Sequence, residues 1–350
     1  MSIRLAIGQF RELTEEKLRF AAQTGVAGIQ MNNPILPGDT RWEVEDIRPL
    51  VDKIKAFGLV FEAIENVPVQ FYNKAMLGLP GRDEQIENYC HTIRAVARAG
   101  IPVLGYHFTP NSVWTTDRTT TTRGGAKARS FDMGKVTANI DNAEVLKSFL
   151  PVNLGLANAL PLHTGLQLAV SVEQMWENYT YFINAVLPVA EEEGIRLALH
   201  PDDPPVESLG GVARIFNSPA NFMRAHEIAG GSPAWALDLC LGCCSEMPGG
   251  RANVVTMIEH FAPLGAIAYV HFRDVQGTVP NFVECFIGDG NFDPAEAMAL
   301  LARNGFDGFI IDDHVPAMDD DSAWNHRGRA HAIGYMQGLL RMGEFAKALG

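Results

Sequence analysis

Leu197-Ala198-Leu199-His200-Pro201-Asp202-Asp203-Pro204-Pro205 reads as a buried strand that runs into a series of prolines. Ile195, Leu197 and Leu199 are large and apolar with Ala198 between them, as suits a parallel strand covered on both faces. Proline donates no ladder hydrogen bond, so the strand must end near His200. A histidine and two aspartates are then left at the carboxyl end of a strand, where α/β folds place their chemistry. Alone, the segment is equally a strand followed by a polar turn. Three later strand ends decide the matter.

Trp235-Ala236-Leu237-Asp238-Leu239-Cys240 ends at a cysteine before Gly242. Ile267-Ala268-Tyr269-Val270-His271 ends at a histidine followed by Phe272-Arg273-Asp274, and Phe309-Ile310-Ile311 runs into Asp312-Asp313-His314. The strand ends of one parallel sheet lie on one side, so His200, Cys240, His271 and Asp313 can converge. Two imidazoles, a thiolate and a carboxylate suit a divalent transition metal. Cys240 lies at its strand end, whereas Cys243 and Cys244 fall beyond Gly242. With no second CxxC pair, a structural zinc site is disfavoured.

Outward from these ends, strand and helix patterns alternate along the chain. Strands are expected near 5–9, 28–32, 60–65, 103–108, 196–200, 234–239, 268–272 and 308–312. Helices are expected at 14–24, 44–57, 83–99, 171–193, 220–229, 253–261 and 294–303. Gly25, Gly58, Gly100, Gly194 and Gly305 each stand where a left-handed cap would close a helix. Eight strand–helix units predict a single (β/α)8 TIM barrel over 1–350, with a doubly wound sheet as the alternative. One interval is too long: residues 109–170 form an insertion, expected as a lid on the catalytic face. Its segment 114–129 carries Arg118, Arg123, Lys127 and Arg129, which favours anion binding. Gly288-Asp289-Gly290-Asn291 reads as a structural turn.

The 350 residues are 47% hydrophobic and 20% charged, ordinary for a globular chain with a full core. A net charge of −13 argues against non-specific nucleic-acid binding, which needs basic surface. No apolar run approaches the roughly 18 residues of a membrane span, and the start shows no basic, then apolar, leader pattern. Five cysteines without a disulfide-like spacing suggest a reducing, cytoplasmic setting. A homo-oligomer is compatible with all of this. Gln9, Asn32, Asn33, Glu65, Asn66, Tyr106 and His107 fall where other strands finish, and with Asp202 and Asp203 they describe a polar cup for a polyhydroxylated substrate.

The string His200-Pro201-Asp202-Asp203-Pro204-Pro205, reached through Pro188 to Arg196, resembles the mannonate dehydratase family of xylose-isomerase-like barrels. The likeness extends through Glu65-Asn66-Val67-Pro68, Tyr106 to Pro110, Cys240, His271-Phe272-Arg273 and Asp313-His314. It implies a divalent metal, manganese or iron, on His200, Cys240, His271 and Asp313, with His314 in proton transfer. Two departures mark a divergent member. The family's arginine on the eighth strand is Ile311 here, and a catalytic tyrosine falls by register at Ala330, beside His331 and one turn before Tyr335. The expected reaction is dehydration of a sugar acid, D-mannonate to 2-dehydro-3-deoxy-D-gluconate. His314 is the candidate base, His331 and Tyr335 are weaker catalytic candidates, and Arg273 with the basic insertion is expected to hold the carboxylate. A metal-dependent sugar isomerase or epimerase, or a sugar-acid binding protein whose catalysis has lapsed, are the alternatives.

Overall fold

Alternation along eight short strands sorts the chain into an inside and an outside. The computed structural model describes residues 3–110, 115–136 and 169–349, with side chains through 343. Its strands are β1 (Arg4–Ile7), β2 (Gly28–Asn32), β3 (Val60–Glu65), β4 (Val103–Tyr106), β5 (Asp117–Thr121), β6 (Lys127–Asp132) and β7 (Arg196–Leu199). They continue with β8 (Ser208–Leu209), β9 (Val212–Ala213), β10 (Trp235–Cys240), β11 (Ile267–His271), β12 (Asp274–Thr278), β13 (Asn281–Cys285) and β14 (Phe309–Ile311). Strands β1, β2, β3, β4, β7, β10, β11 and β14 close into a parallel barrel in that order. The (β/α)8 expectation therefore holds, and the doubly wound alternative is excluded.

Leu197 and Leu199 of β7, and Trp235, Leu237 and Leu239 of β10, face the helices and belong to the main core. The intervening residues face the barrel interior, where Ala6, Ala63, Ala198, Ala236, Tyr269, Phe309 and Ile311 pack together. Each fully buried leucine contributes about 1.5–3 kcal/mol, and Leu197→Ala would forfeit about 2–5 kcal/mol with its cavity. The helix Val172–Glu193 shows how the outer layer is specified. Ser171 and Gln174 form a reciprocal capping box at its start, and Gly194 at φ 66° ends it. Its buried face, Met175, Tyr179, Phe182, Val186 and Ala190, packs toward β4 and the helix Arg82–Arg98. Gly25, Gly58, Gly100 and Gly305 also take positive φ, as their cap positions require.

Two hairpins depart from the plain barrel. One, β5–β6, lies in the insertion after β4; residues 111–114 and 137–168 of that insertion lie outside the described residues. The other, β12–β13, follows β11 and was not anticipated from the sequence. They join as one antiparallel sheet in the order β12-β13-β6-β5. Phe131 pairs with Phe282 across it, with ring centroids 5.7 Å apart. Lys127 and Ala317 exchange backbone hydrogen bonds of 2.9 and 2.7 Å, which tie the sheet to the chain just after β14. The glycine turn at 288–291 is structural as expected: Asp274 accepts backbone N–H bonds from Gly288, Gly290 and Asn291.

Candidate metal centre and active site

The same period of two that buries Ala236 turns Asp238 and Cys240 toward the barrel axis. On β11 it does so for Tyr269 and His271; His200 and Asp313 follow at the ends of β7 and β14. Donor atoms of Cys240, His271 and Asp313 lie within 4.8 Å of one another, and so do those of His200, Cys240 and Cys243. Cys240 thus joins the two histidines and Asp313. The first turn after β10 brings Cys243 back, so that its N–H donates to the Cys240 Sγ at 3.4 Å. Cys243 is closer than its place beyond Gly242 suggested, whereas Cys244 packs into the outer core.

His200 Nδ1 lies 2.6 Å from the Pro201 carbonyl, which fixes its proton there and leaves Nε2 for a ligand. The His271 ring bridges two groups: Nδ1 is 3.5 Å from Asp313, and Nε2 is 3.3 Å from both Glu65 and Asp238. Burial opposes a proton on His271, yet Asp238, Asp313 and Glu65 push it well above the ordinary imidazole range. His200 is likewise raised to about 9 against burial, by Asp238 and Cys240. Burial favours the Cys240 thiol, but the Cys243 N–H, Arg273 and the two imidazoles hold it well below the usual thiol range. Burial, with Glu65 and Cys240 nearby, pushes the Asp238 carboxyl up to about 8 even though both imidazoles oppose it, so acids and imidazoles share few protons in a dry site. Both oxygens of Asp238 and both ring nitrogens of His271 are buried without a hydrogen-bond partner. The donor set and its orphaned atoms fit a divalent cation.

Arg273 corrects an expectation. Expected to hold a substrate carboxylate, it is only 2% exposed and already saturated. Its guanidinium donates to Glu246 at 2.8 Å, Asp203 at 2.9 Å and Asp313 at 3.0 Å, and to the Cys243 Sγ at 3.0 Å. Gly242 lies flat against it; a Cβ there would come within 2.5 Å of Nη1. Arg273 is a buried brace behind the candidate metal donors, and its fork is committed to protein acids.

Above the donors opens a cavity of about 340 Å³, bordered by Gln9, Asn32, Asn33, Glu65, Asn66, His107, Thr109, Arg129, His200, Asp203, Asp313 and His314. Four of these, Gln9, Asn33, Asn66 and Asp313, have φ between 45° and 64°, a left-handed turn uncommon outside glycine. At Asp313 the turn has a direct consequence. Adjacent side chains on a strand point apart, but here Asp313 and His314 both reach the site. His107 Nδ1 donates to Asn66 Oδ1 at 2.7 Å, leaving Nε2 buried without a partner. Burial, with His200 and His271 nearby, pushes His107 well below the ordinary range and keeps it neutral. Gln9 donates to Glu65 at 2.7 Å and accepts from Asn32 at 2.7 Å, completing a hydrogen-bonded rim. His314 Nδ1 sits 2.7 Å from Glu284 Oε1 of β13, and its Nε2 lies 2.9 Å from Arg129 Nη1 of β6.

Other expected residues lie elsewhere. Tyr106 points outward from β4, with its hydroxyl 3.2 Å from that of Tyr179, so the substrate contact expected of it is replaced by a core contact. Asp202 accepts the Phe216 N–H at 2.8 Å and stands 3.9 Å from the buried Arg214, which makes it a pin for the chain after β7. His331 and Tyr335 are outside the cavity: His331 packs edge-on to Phe286, and Tyr335 lies next to His331. Ala330 is exposed on the last helix, His326–Leu349. Ile311 is buried in the apolar layer two residues below Asp313. Sequence reading passed over Asp238, Glu246 and Glu284. Asp238 was accessible to it, because it shares the inward face of β10 two positions before Cys240.

A closed parallel barrel with buried histidine, cysteine and carboxylate donors gathered at its strand ends is the architecture of a barrel enzyme with a candidate divalent-metal site. Residues 3–347 match the D-mannonate dehydratase (UxuA) family. A mannonate dehydratase of Shouchella clausii is 32% identical over 288 residues, 78% of this chain and 77% of the relative. One from Geobacillus thermodenitrificans is 31% identical over 335 residues, 90% and 87% of the two chains. The crystal structure of mannonate dehydratase from Streptococcus suis serotype 2 superposes with a TM-score of 0.83 at 24% identity, covering 99% of this chain and 95% of that one. The chain belongs to the mannonate dehydratase family.

Proposed function

We propose that the protein is a hydro-lyase that dehydrates a 2,3-dihydroxy sugar acid, with D-mannonate giving 2-dehydro-3-deoxy-D-gluconate and water. The observation that carries the reading is the left-handed turn at Asp313, through which its carboxylate and the neighbouring His314 both border one cavity. A divalent cation, manganese or iron, held by His200, Cys240, His271 and Asp313 would stabilise the negative charge that develops beside the carboxylate. His314 Nε2 takes the proton from the carbon next to the carboxylate, while Glu284 fixes its other nitrogen. The uncharged His107 Nε2 and the amides of Asn66, Asn32 and Gln9 orient the hydroxyls by hydrogen bonds. In this reading the insertion 109–170 serves as a lid, supported by the hairpin that carries Arg129 to the cavity. Five free, buried cysteines support a cytoplasmic setting. No helix among the described residues is long and apolar enough to cross a membrane.

The test is product analysis with manganese- or iron-loaded protein and D-mannonate, followed by a panel of aldonic and uronic acids. The expected product is a keto-deoxy acid lighter by one water. An isomer of unchanged mass would instead make the protein an isomerase or epimerase. Tight binding without turnover under either metal would make it a binding protein.

A further inference from the structure

We infer that Cys240 and Cys243 are a paired oxidation site: hydrogen peroxide joins them in a disulfide, which withdraws the sulfur donor of the metal centre until a thiol reductant restores it. The inference goes beyond the dehydratase reading, since it concerns the donors and not the sugar acid. Three observations carry it. First, the two thiols share one turn. Cys240 ends β10, and Cys243 lies in the first turn of the helix Leu241–Glu246 that follows. Their sulfurs lie within 4.8 Å of each other and of a His200 ring nitrogen. A disulfide needs its sulfurs about 2 Å apart, a closure that side-chain rotation within one turn can supply.

Second, apolar packing does not account for Cys243. Cys244 belongs to the main core, whereas Cys240 and Cys243 lie outside it. The Cys243 Sγ accepts from Arg273 at 3.0 Å, and the Cys243 N–H donates to the Cys240 Sγ at 3.4 Å. Gly242, between the two cysteines, leaves the space that the guanidinium occupies. Third, a small oxidant has a route to the pair. His200 and Asp203 border the cavity above the donors. His200 shares a cluster with both sulfurs, and Asp203 shares one with Cys243.

The reaction balances with peroxide as the oxidant. The Cys240 sulfur attacks one peroxide oxygen and the O–O bond breaks, leaving a sulfenic acid on Cys240 and releasing water. The Cys243 sulfur then attacks the sulfenic sulfur. The S–O bond breaks, and the departing hydroxide leaves as a second water with the Cys243 proton. Two thiols have lost two electrons and two protons, and peroxide has become two waters. A thiolate is a metal ligand and a disulfide sulfur is not, so the cation loses a donor. Cys243 also spares Cys240 further oxidation, which is irreversible. In a reducing compartment such a bond is transient and is reopened by thiol exchange.

The experiment treats the manganese-loaded full chain with hydrogen peroxide and reads intact mass and bound manganese, before and after dithiothreitol. Wild type and Cys244→Ser should each lose two hydrogens in mass, and their manganese affinity should fall at least about 10-fold, the scale for disturbing even an outer partner of a donor. Dithiothreitol with fresh manganese should restore both readings. Cys243→Ser and Cys243→Ala should instead gain oxygen on Cys240 and stay oxidised after dithiothreitol, as a sulfinic acid does. A two-hydrogen loss that persists in both Cys243 variants would overturn the pairing, as would a wild-type mass that stays constant or only rises. A disulfide formed with manganese affinity unchanged would overturn the withdrawal of the donor. None of these readings uses a sugar acid, so failure of the dehydratase reading leaves them to judge the cysteine pair alone.

Discussion

Replacing Arg273 with methionine separates a brace from a substrate clamp. The side chain is buried and its donors are divided among Asp203, Glu246 and Asp313 at 2.8 to 3.0 Å. Methionine preserves most of the volume and removes the charge, which leaves several acids uncompensated in the interior. Removing one partner of a buried ion pair typically destabilises by about 3–5 kcal/mol. At roughly 2 °C per kcal/mol for a large domain, Tm should fall by about 6–10 °C. Asp313 would also lose a bond that orients it as a donor, so metal affinity should fall with Tm. The lost orientation is of the kind that costs about 10- to 100-fold in metal binding.

Thermal unfolding with and without added manganese, and calorimetric metal titration, would measure both effects. Arg273→Lys should recover little, since one ammonium cannot reproduce the fork that reaches three acids. A substrate clamp behaves differently: the variant would melt with wild type, bind metal as wild type, and show only a raised KM. That result would refute the placement of Arg273 behind the site.

Three further outcomes are expected. Cys240→Ser should lose bound metal, whereas Cys244→Ser, in the outer core, should keep full metal content by elemental analysis. Asp238→Asn should weaken metal binding about 10- to 100-fold in a calorimetric titration, because Asp238 faces the distal nitrogen of His271 at 3.3 Å. His314→Asn should retain metal but slow C2 deuterium exchange by about 10²-fold or more; wild-type exchange in the metal-loaded variant would remove His314 from the mechanism.

What was legible follows the local rules. Period-two alternation and five glycine caps disclose the eight barrel strands. The same parity that sends Ala198 and Ala236 inward places His200 and Cys240 on one interior. Helical periodicity accounts for His331 and Tyr335 as well. Ala332, Ile333 and Met336 form the buried face of the last helix, so the other two are turned toward Phe286 and solvent. Arg273 was harder, because its partners come from positions 203, 246 and 313 and no local pattern records them. The hairpin β12–β13 begins immediately after a strand end, and its pairing with β6 depends on contacts 149 residues apart in register, Asn281 against Asp132.

The substitution at the eighth strand then gains a physical meaning. Position 311, where the resemblance expects an arginine, faces the barrel interior beside Ala6, Ala198, Tyr269 and Phe309. A cation there would have to be desolvated among apolar side chains. Isoleucine fills that layer without a charge to satisfy. The cation that borders the cavity comes instead from outside the barrel, on β6, where Arg129 reaches it from a sheet rather than from its floor.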